Sequence, residues 1–417
     1  MHESDWSRRA FMGATMAGLA TACTRAGAGG DAASDEATSA ELEAELESGN
    51  IYARLFGMKP HLPAHGHATK LGGSRMPAEV VEAMREANEY FVLMDELAVH
   101  AGEKAAKILK AEAALITSGA SGGLLLGTAA CLTGDDEEKM RALPHPSWSQ
   151  RECVIQKSHR YMYDHALRAA GAELVEVEGR DQLMNAIGKN TALIFGLPPH
   201  GRPRDPDVEV ECEELIELGK DAGVPVLIDG ASRLPPNGNL TVWGELGADL
   251  VVLSGGKGLE GPQSTGLLSG RADLIAAART QAAPNEFIGR GMKVGKEEIV
   301  GLIVALERYQ RLDHEAERAA WQRKAEYIAE NLQGIPGFEA TAQIDGPIPY
   351  VQLGWDEALI PLSATEARET LKRRESRRVA ISSLFGGNRI QTRCMRDGEE
   401  VLVARYLREF FTDAAKG

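Results

Sequence analysis

The sequence predicts an α/β fold with a large, mostly parallel sheet and a smaller C-terminal α/β domain, and three observations carry that reading. Short apolar runs of strand length alternate with helical stretches from residue 113 to residue 253. The runs are apolar throughout rather than alternating, the mark of strands covered on both faces by crossover helices. A shorter mixture of strand and helix patterns then closes the chain.

Along the chain, a helix is predicted over 77–88, with Pro77 near the first turn, where its missing N–H is least needed. A second follows over 94–109. Residues 113–117 read as a strand, leading through a Gly/Ser turn into an apolar helix that ends at 132. Runs 153–156, 173–177, 192–195, 224–228 and 249–253 read as further strands, with helices over 181–187 and 211–222 between them. One long helical pattern covers 296–332. Beyond it come a strand over 349–353 and helices over 364–375 and 398–411. The expected organisation is an export signal over 1–22, a flexible linker over 23–50 that holds one short helix from Ser39 to Leu46, and an N-terminal arm with the large domain over 51–300. A long connecting helix and the small domain take 301–417.

The 417 residues, 43% hydrophobic and 26% charged with 45 glycines, suit an enzyme-sized globular chain of two or three structural units. Acidic residues outnumber basic ones 61 to 46, a formal charge of −15 that repels phosphate backbones, so no nucleic-acid partner is expected. Aromatic residues make up only 5%, which argues against a base- or sugar-stacking surface. No apolar run after residue 30 reaches the ~20 residues of a membrane span.

At the N-terminus, Arg8-Arg9 precedes an uncharged stretch from Ala10 to Ala22, and Ala20-Thr21-Ala22 gives a small-residue cleavage motif. This resembles a twin-arginine export signal and implies a periplasmic location. Cys23 directly follows and offers a lipidation position, the one route to the membrane, although Ala20 stands where such sites usually carry Leu. Cys131, Cys153, Cys212 and Cys394 show no metal-ligand spacing and read as small buried hydrophobes. His65 and His67 form an isolated His-Gly-His, and no metal is expected there.

The chemistry is concentrated at predicted strand ends, where open α/β sheets hold ligands. The segment from Thr117 to Gly123 presents Ser118, Gly119, Ala120 and Ser121 at a helix entry, a cup of backbone N–H groups for an anion. Asp229 closes an apolar strand. Lys257 lies in a glycine-rich turn after another, with Ser254 three residues before it and no acidic residue beside it. A phosphate cup, a strand-end carboxylate and a strand-end lysine together describe a site for pyridoxal 5'-phosphate.

Four segments carry a more specific resemblance: Leu71-Gly-Gly-Ser-Arg-Met-Pro77, residues 114–134, Leu253-Ser-Gly-Gly-Lys-Gly-Leu-Glu-Gly-Pro-Gln263 and residues 288–298. Over nearly all of 65–410 the chain resembles the selenocysteine-synthase-like family of fold-type I pyridoxal-phosphate enzymes, which share the aspartate aminotransferase-like fold. That family includes L-seryl-tRNA selenium transferases and, closer in these motifs, the D-glucosaminate and D-glucosaminate-6-phosphate ammonia-lyases. The resemblance implies that Lys257 forms the internal aldimine, Asp229 pairs with the pyridine nitrogen and Ala231 packs under the ring. Ser118, Gly119, Ala120 and Ser254 would hold the phosphate. His159 falls where such enzymes stack a side chain on the ring, with His165 as its rival. The usual Asp-Ala-Ala is Asp229-Gly230-Ala231 here, a change expected to loosen the backbone. Arg389, Arg393 and Arg396 sit where the small domain offers a substrate-carboxylate clamp, and Arg393 is the first choice, followed by Arg389.

The expected reaction is that of an ammonia-lyase (dehydratase): a hydroxylated amino acid or amino sugar acid, D-configured in the relatives that share these motifs, gives a 2-keto acid and ammonia. A racemase or an aminotransferase needs the same residues and stays open. A selenium transferase would need a tRNA, which the charge disfavours, and a non-catalytic exported binding protein would not need Lys257, Asp229 and Ser254 together. A homodimer is the minimum assembly that the resemblance implies, with the 288–298 loop reaching the partner's cofactor.

Overall fold

The computed structural model describes residues 39–199, 205, 208–382 and 387–416. The export signal, Cys23 and the linker up to residue 38 lie outside the described residues. No helix among them is long and apolar enough to cross a membrane.

The strands in chain order are β1 (Leu62–Ala64), β2 (Ala113–Ser118), β3 (Glu152–Gln156), β4 (Glu173–Val177), β5 (Thr191–Gly196), β6 (Val226–Asp229), β7 (Leu250–Ser254) and β8 (Thr265–Gly270). The small domain adds β9 (Phe338–Gln343), β10 (Tyr350–Trp355), β11 (Val379–Ile381) and β12 (Asn388–Gln391). The large sheet has the order β2-β8-β7-β6-β5-β3-β4. Strands β3 to β7 pair in parallel, whereas β8 runs antiparallel to both β2 and β7. The sequence pattern does not reveal β8, because Thr-Gly-Leu-Leu-Ser-Gly is short and punctuated by glycine. Yet this strand matters most for the site: Ser118 pairs with Thr265, Ser254 with Gly266 and Asp229 with Val252, so three strand ends meet along one edge.

Helix α1 (Ala78–Asn88) starts after Pro77, and helix α2 (Gly119–Thr133) follows β2. Two glycines let α2 lie close on the sheet: a Cβ added at Gly123 would sit 3.2 Å from Val252 Cγ1, and one at Gly127 would sit 2.8 Å from Leu227 Cδ1. Larger residues there would push α2 outward, and with it the loop that opens it. The opposite face is covered by the helix Met94–Leu109 and by α3 (Lys296–Arg311), through Ala105, Leu302 and Leu306.

The helical pattern over 296–332 is not one helix. It breaks at Leu312, which is extended, and α4 (His314–Asn331) begins anew with Asp313 Oδ1 accepting the Ala316 N–H at 3.0 Å. An aspartate that caps a helix start satisfies donors otherwise left without partners. The break lets the chain turn beside Lys257.

In the small domain β9, β10 and β12 form an antiparallel sheet, and Phe338, Trp355 and Phe411 cluster in its core beside α5 (Glu399–Ala414). The short helix expected from Ser39 to Leu46 within the linker forms, and the helical segment runs on to residue 49. Leu42 and Leu46, one turn apart, pack on this core, and Glu43 accepts a 2.8 Å hydrogen bond from the Tyr406 hydroxyl. The folded body therefore begins before residue 51.

The N-terminal arm ties the two domains together. Strand β1 pairs in parallel with β11, His65 bridges to Gln391, and Arg75 reaches Glu399 of α5 and the Cys394 carbonyl. His65 is 1% exposed and its Nε2 lies 3.2 Å from His61 Nε2. Burial, with smaller contributions from His61 and Arg393, pushes the His65 imidazole from 6.5 down to about 4. Its folded pKa is the lower one, so its stabilising share is complete above pH ~6.5 and is lost as pH falls through ~4. Urea unfolding is expected to show the wild type losing about 2–3 kcal/mol more than His65→Gln between pH ~7 and ~4.5. Parallel pH profiles for the two proteins would contradict this.

Candidate active site

Strand β6 delivers Asp229, 6% exposed, with both carboxylate oxygens engaged. Oδ1 accepts the Ala231 N–H at 2.9 Å and Oδ2 accepts the Tyr161 hydroxyl. Gly230 does not loosen this seat. Its N–H donates to the Val252 carbonyl at 2.9 Å, and an added Cβ would lie 3.1 Å from Leu253 Cδ2 and 3.2 Å from Val252 O. Glycine fits there because the backbone approaches its neighbour closely.

Beyond β7, the turn Gly255-Gly256-Lys257-Gly258 is packed against backbone on every side. A Cβ would fall 2.1 Å from Thr265 Oγ1 at Gly255, 2.4 Å from Gln263 Cα at Gly256 and 2.5 Å from Leu234 O at Gly258. Ser74 Oγ donates to Gly256 O at 2.9 Å, and Gly261 N–H to Gly255 O at 2.8 Å. Lys257 is thus held by its backbone, while its amine makes no ion pair among the described residues. Desolvation lowers the pKa of this amine. The Asp229 charge opposes the shift, and Arg393 and Arg233 reinforce it.

The third strand end is β2. Gly119, at φ +68°, opens α2, and Thr117 Oγ1 donates to its carbonyl at 2.9 Å. Ser118, Gly119 and Ala120 are half-buried and Ser121 is exposed, at the N-terminus of a 15-residue helix whose dipole favours an anion. Gly266 of β8 supports this cup from behind: a Cβ there would sit 2.4 Å from Gly119 C and 2.7 Å from Ala120 N. Gly266→Ala is expected to displace the cup, destabilise the protein by about 1–3 kcal/mol and weaken cofactor retention. Dialysis followed by cofactor quantitation checks it, and full retention would contradict it.

The two predicted histidines differ in burial and partners. His159 is fully buried, its Nδ1 accepting the Leu197 N–H at 3.2 Å and its Nε2 3.4 Å from Glu209. His165 is exposed at the start of the helix His165–Ala169, with Nδ1 3.3 Å from an Arg168 nitrogen. The aromatic side chain at the carboxylate is Tyr161, and burial and the Asp229 charge hold its hydroxyl protonated. The only sequence signal for it was its position two residues past His159.

The three arginines separate clearly. Arg389 lies on β12, hydrogen-bonded to Gln352 at 3.2 Å and stacked over Tyr350. Arg396 is paired with Glu399 at 2.9 Å and with Glu45. Arg393 instead lines the pocket that holds Lys257. Its Nη2 donates to His67 Nε2 at 2.9 Å, while its buried Nε and Nη1 have no hydrogen-bond partner. Desolvation pulls its pKa from 12.5 down to about 10. Glu260, from the turn that carries Lys257, lies in the same wall, and Tyr309, His314, Glu317 and Trp321 complete it from either side of the break between α3 and α4. Sequence reasoning missed Tyr309, His314, Glu317 and Trp321 because the pattern over 296–332 read as unbroken.

The residues present fit pyridoxal phosphate: an anion cup with a glycine behind it, a fixed strand-end carboxylate and an unpaired desolvated lysine. Among the described residues no three His, Cys, Asp or Glu side chains group to hold a metal ion. The four described cysteines are free thiols; burial raises Cys394 to about 11, far from a reactive thiolate.

Comparison with known proteins agrees with this geometry. Residues 208–347 match the aminotransferase class-V family. A 5'-C-glycyluridine monooxygenase-decarboxylase from Streptomyces sp is 33% identical over 381 residues, covering 86% of this chain and 91% of that protein. A D-glucosaminate-6-phosphate ammonia lyase from Salmonella typhimurium (strain 14028s / SGSC 2262) is 29% identical, with 88% and 99% covered. A solved D-glucosaminate-6-phosphate ammonia-lyase, also 29% identical with 88% and 99% covered, superposes with a TM-score of 0.76. An L-seryl-tRNA(Sec) selenium transferase from Moorella thermoacetica is 26% identical over 299 residues, 66% of this chain and 60% of that one.

Proposed function

This chain belongs to the selenocysteine-synthase-like family of fold-type I pyridoxal-phosphate enzymes, and on that premise we propose that it is an ammonia-lyase acting on an α-amino acid with a hydroxylated carbon chain. The observation that carries the reading is the pairing in one pocket of an amine without an ion partner, Lys257, with a guanidinium whose Nε and Nη1 are unsatisfied, Arg393. An α-amino acid presents a carboxylate for Arg393 and, on the adjacent carbon, the proton that Lys257 removes.

The cofactor, when bound, supplies an electron sink for negative charge at the substrate Cα. Asp229 would keep a proton on its ring nitrogen, and the amides of Ser118, Gly119 and Ala120, with the Ser254 hydroxyl, would receive its phosphate. Arg393 binds and orients the substrate carboxylate, and His67 orients Arg393. Lys257 Nζ, more easily neutral because it is desolvated, takes the Cα proton. Lys257 Nζ returns that proton to the β-hydroxyl, which leaves as water; the released enamine takes a solvent proton at C3, and hydrolysis of the resulting imine gives a 2-keto acid and ammonia. His159 acts from beneath, fixing the Leu197 backbone at the site's edge.

A second reading follows from the 33% identical relative, whose name describes an oxygen-dependent decarboxylation. Both relatives' substrates carry an amino acid on a sugar-derived carbon skeleton, so substrate class is common to the two readings. A panel of D- and L-hydroxy amino acids and D-glucosaminate, incubated under argon, separates them. Equal amounts of ammonia and 2-keto acid support the lyase; turnover that needs oxygen and releases carbon dioxide overturns it.

Exposed Ile51, Leu55 and Phe56 on one short helix, with Phe91 97% and Leu93 63% exposed before the next, support a homodimer. The leader supports periplasmic export by the twin-arginine route, with Cys23 as the lipidation position.

A further inference from the structure

We propose that the substrate tail beyond the reacting carbons is an uncharged polyol rather than a phosphorylated one, and that Glu260 and Glu317 set this preference. The inference rests on the reading of Lys257 and Arg393 given above and deepens it.

Among the described residues, the non-histidine cations lining this pocket are Lys257 and Arg393, and both have assigned partners. The wall left for the tail carries Glu260, Glu317, Tyr309 and His314. Glu260 stands at φ +57°, a left-handed backbone that side chains other than glycine avoid, and such strain persists where surroundings hold a residue for use. Arg308 Nη1 grips its carboxylate at 2.9 Å, and the same guanidinium faces Glu79, so this cation is already shared between two carboxylates. Burial nevertheless raises the Glu260 pKa, with Glu317 adding to the rise after the opposing pull of Arg308. Glu317, in the first turns of α4, has no ion-pair partner among the described residues.

A second, independent observation points to a ligand here. Tyr309, which lines the pocket, is 3% exposed, and its buried hydroxyl has no hydrogen-bond partner. His314 Nε2 is occupied by the Tyr309 carbonyl at 2.9 Å, so that nitrogen is not open to the tail. Two carboxylates and a phenol accept and donate to hydroxyl groups readily. A phosphate dianion in the same place meets the carboxylate of Glu317, which has no ion-pair partner among the described residues, and no Lys or Arg among the described lining residues is left to offset it, which is discrimination by repulsion.

The test uses the holoenzyme and two unreactive analogues that lack the amine, D-gluconate and 6-phospho-D-gluconate, with affinities from titration calorimetry. D-gluconate is expected to bind at least about tenfold more tightly, and Glu317→Gln to narrow that ratio by strengthening 6-phospho-D-gluconate binding. Glu260→Gln repeats the test from the other side of the pocket. Tighter binding of the phosphorylated analogue by the wild type, equal binding, or no binding of either overturns the proposal. If the preference holds while no amino acid releases ammonia, the reaction assigned above fails and the pocket's preference stands.

Discussion

Lys257→Ala abolishes the visible absorbance of the loaded enzyme and lowers ammonia release by at least about 10⁴-fold, the upper end of what one positioned acid–base group contributes. Two losses combine in that figure. The amine that tethers the cofactor is gone, and so is the base that removes the Cα proton. The same substitution takes a desolvated amine out of a site where it makes no ion pair, so thermal stability of the cofactor-free protein is expected to hold or rise. Lys257→Arg separates charge from nucleophilicity: it keeps a cation near Asp229 but provides no free amine, and it should be as inactive as the alanine variant. Activity in either variant within tenfold of wild type would contradict the assignment.

Arg393→Met is expected to raise KM for the amino acid by about 10²–10³-fold, the cost of deleting one partner from a buried charge pair. Turnover at saturation should fall far less, because the clamp binds the carboxylate alike before and during proton removal. The free enzyme should become more stable by about 1–3 kcal/mol, since the guanidinium is desolvated with Nε and Nη1 unsatisfied until substrate arrives. A structural arginine would show the opposite, lower stability with KM unchanged. Arg389→Met is the control: its side chain is satisfied by Gln352 and Tyr350, so KM should not move.

The parts of the site that were legible in the sequence are those with a local signature. Lys257, Asp229 and the Ser118–Ala120 cup each follow an apolar run directly, and the parallel sheet brings such ends together whatever the details of its packing. The residues that were not legible depend on long-range placement. Tyr161 meets Asp229 across 68 positions, and His67 meets Arg393 across 326, with no pattern in between to announce either contact. Glu260 was quoted within a motif, but its left-handed backbone and half-buried carboxylate exist only after folding. The pocket wall from Tyr309 to Trp321 was hidden because the apolar periodicity over 296–332 outweighed one capping aspartate, Asp313. Strand β8 was missed for a related reason, since its glycines read as turns when they in fact allow Gly119 and Asp249 to approach its backbone.

The most direct test of the central claim is the reaction of the holoenzyme with D-glucosaminate in heavy water under argon, followed by proton NMR and ammonia assay. The account predicts a 2-keto acid with solvent deuterium at C3, one ammonia per turnover, and neither product with Lys257→Ala. Deuterium at Cα without ammonia would make the protein a racemase, and turnover only on admitting air would make it an oxygen-dependent decarboxylase. Either result would contradict the lyase.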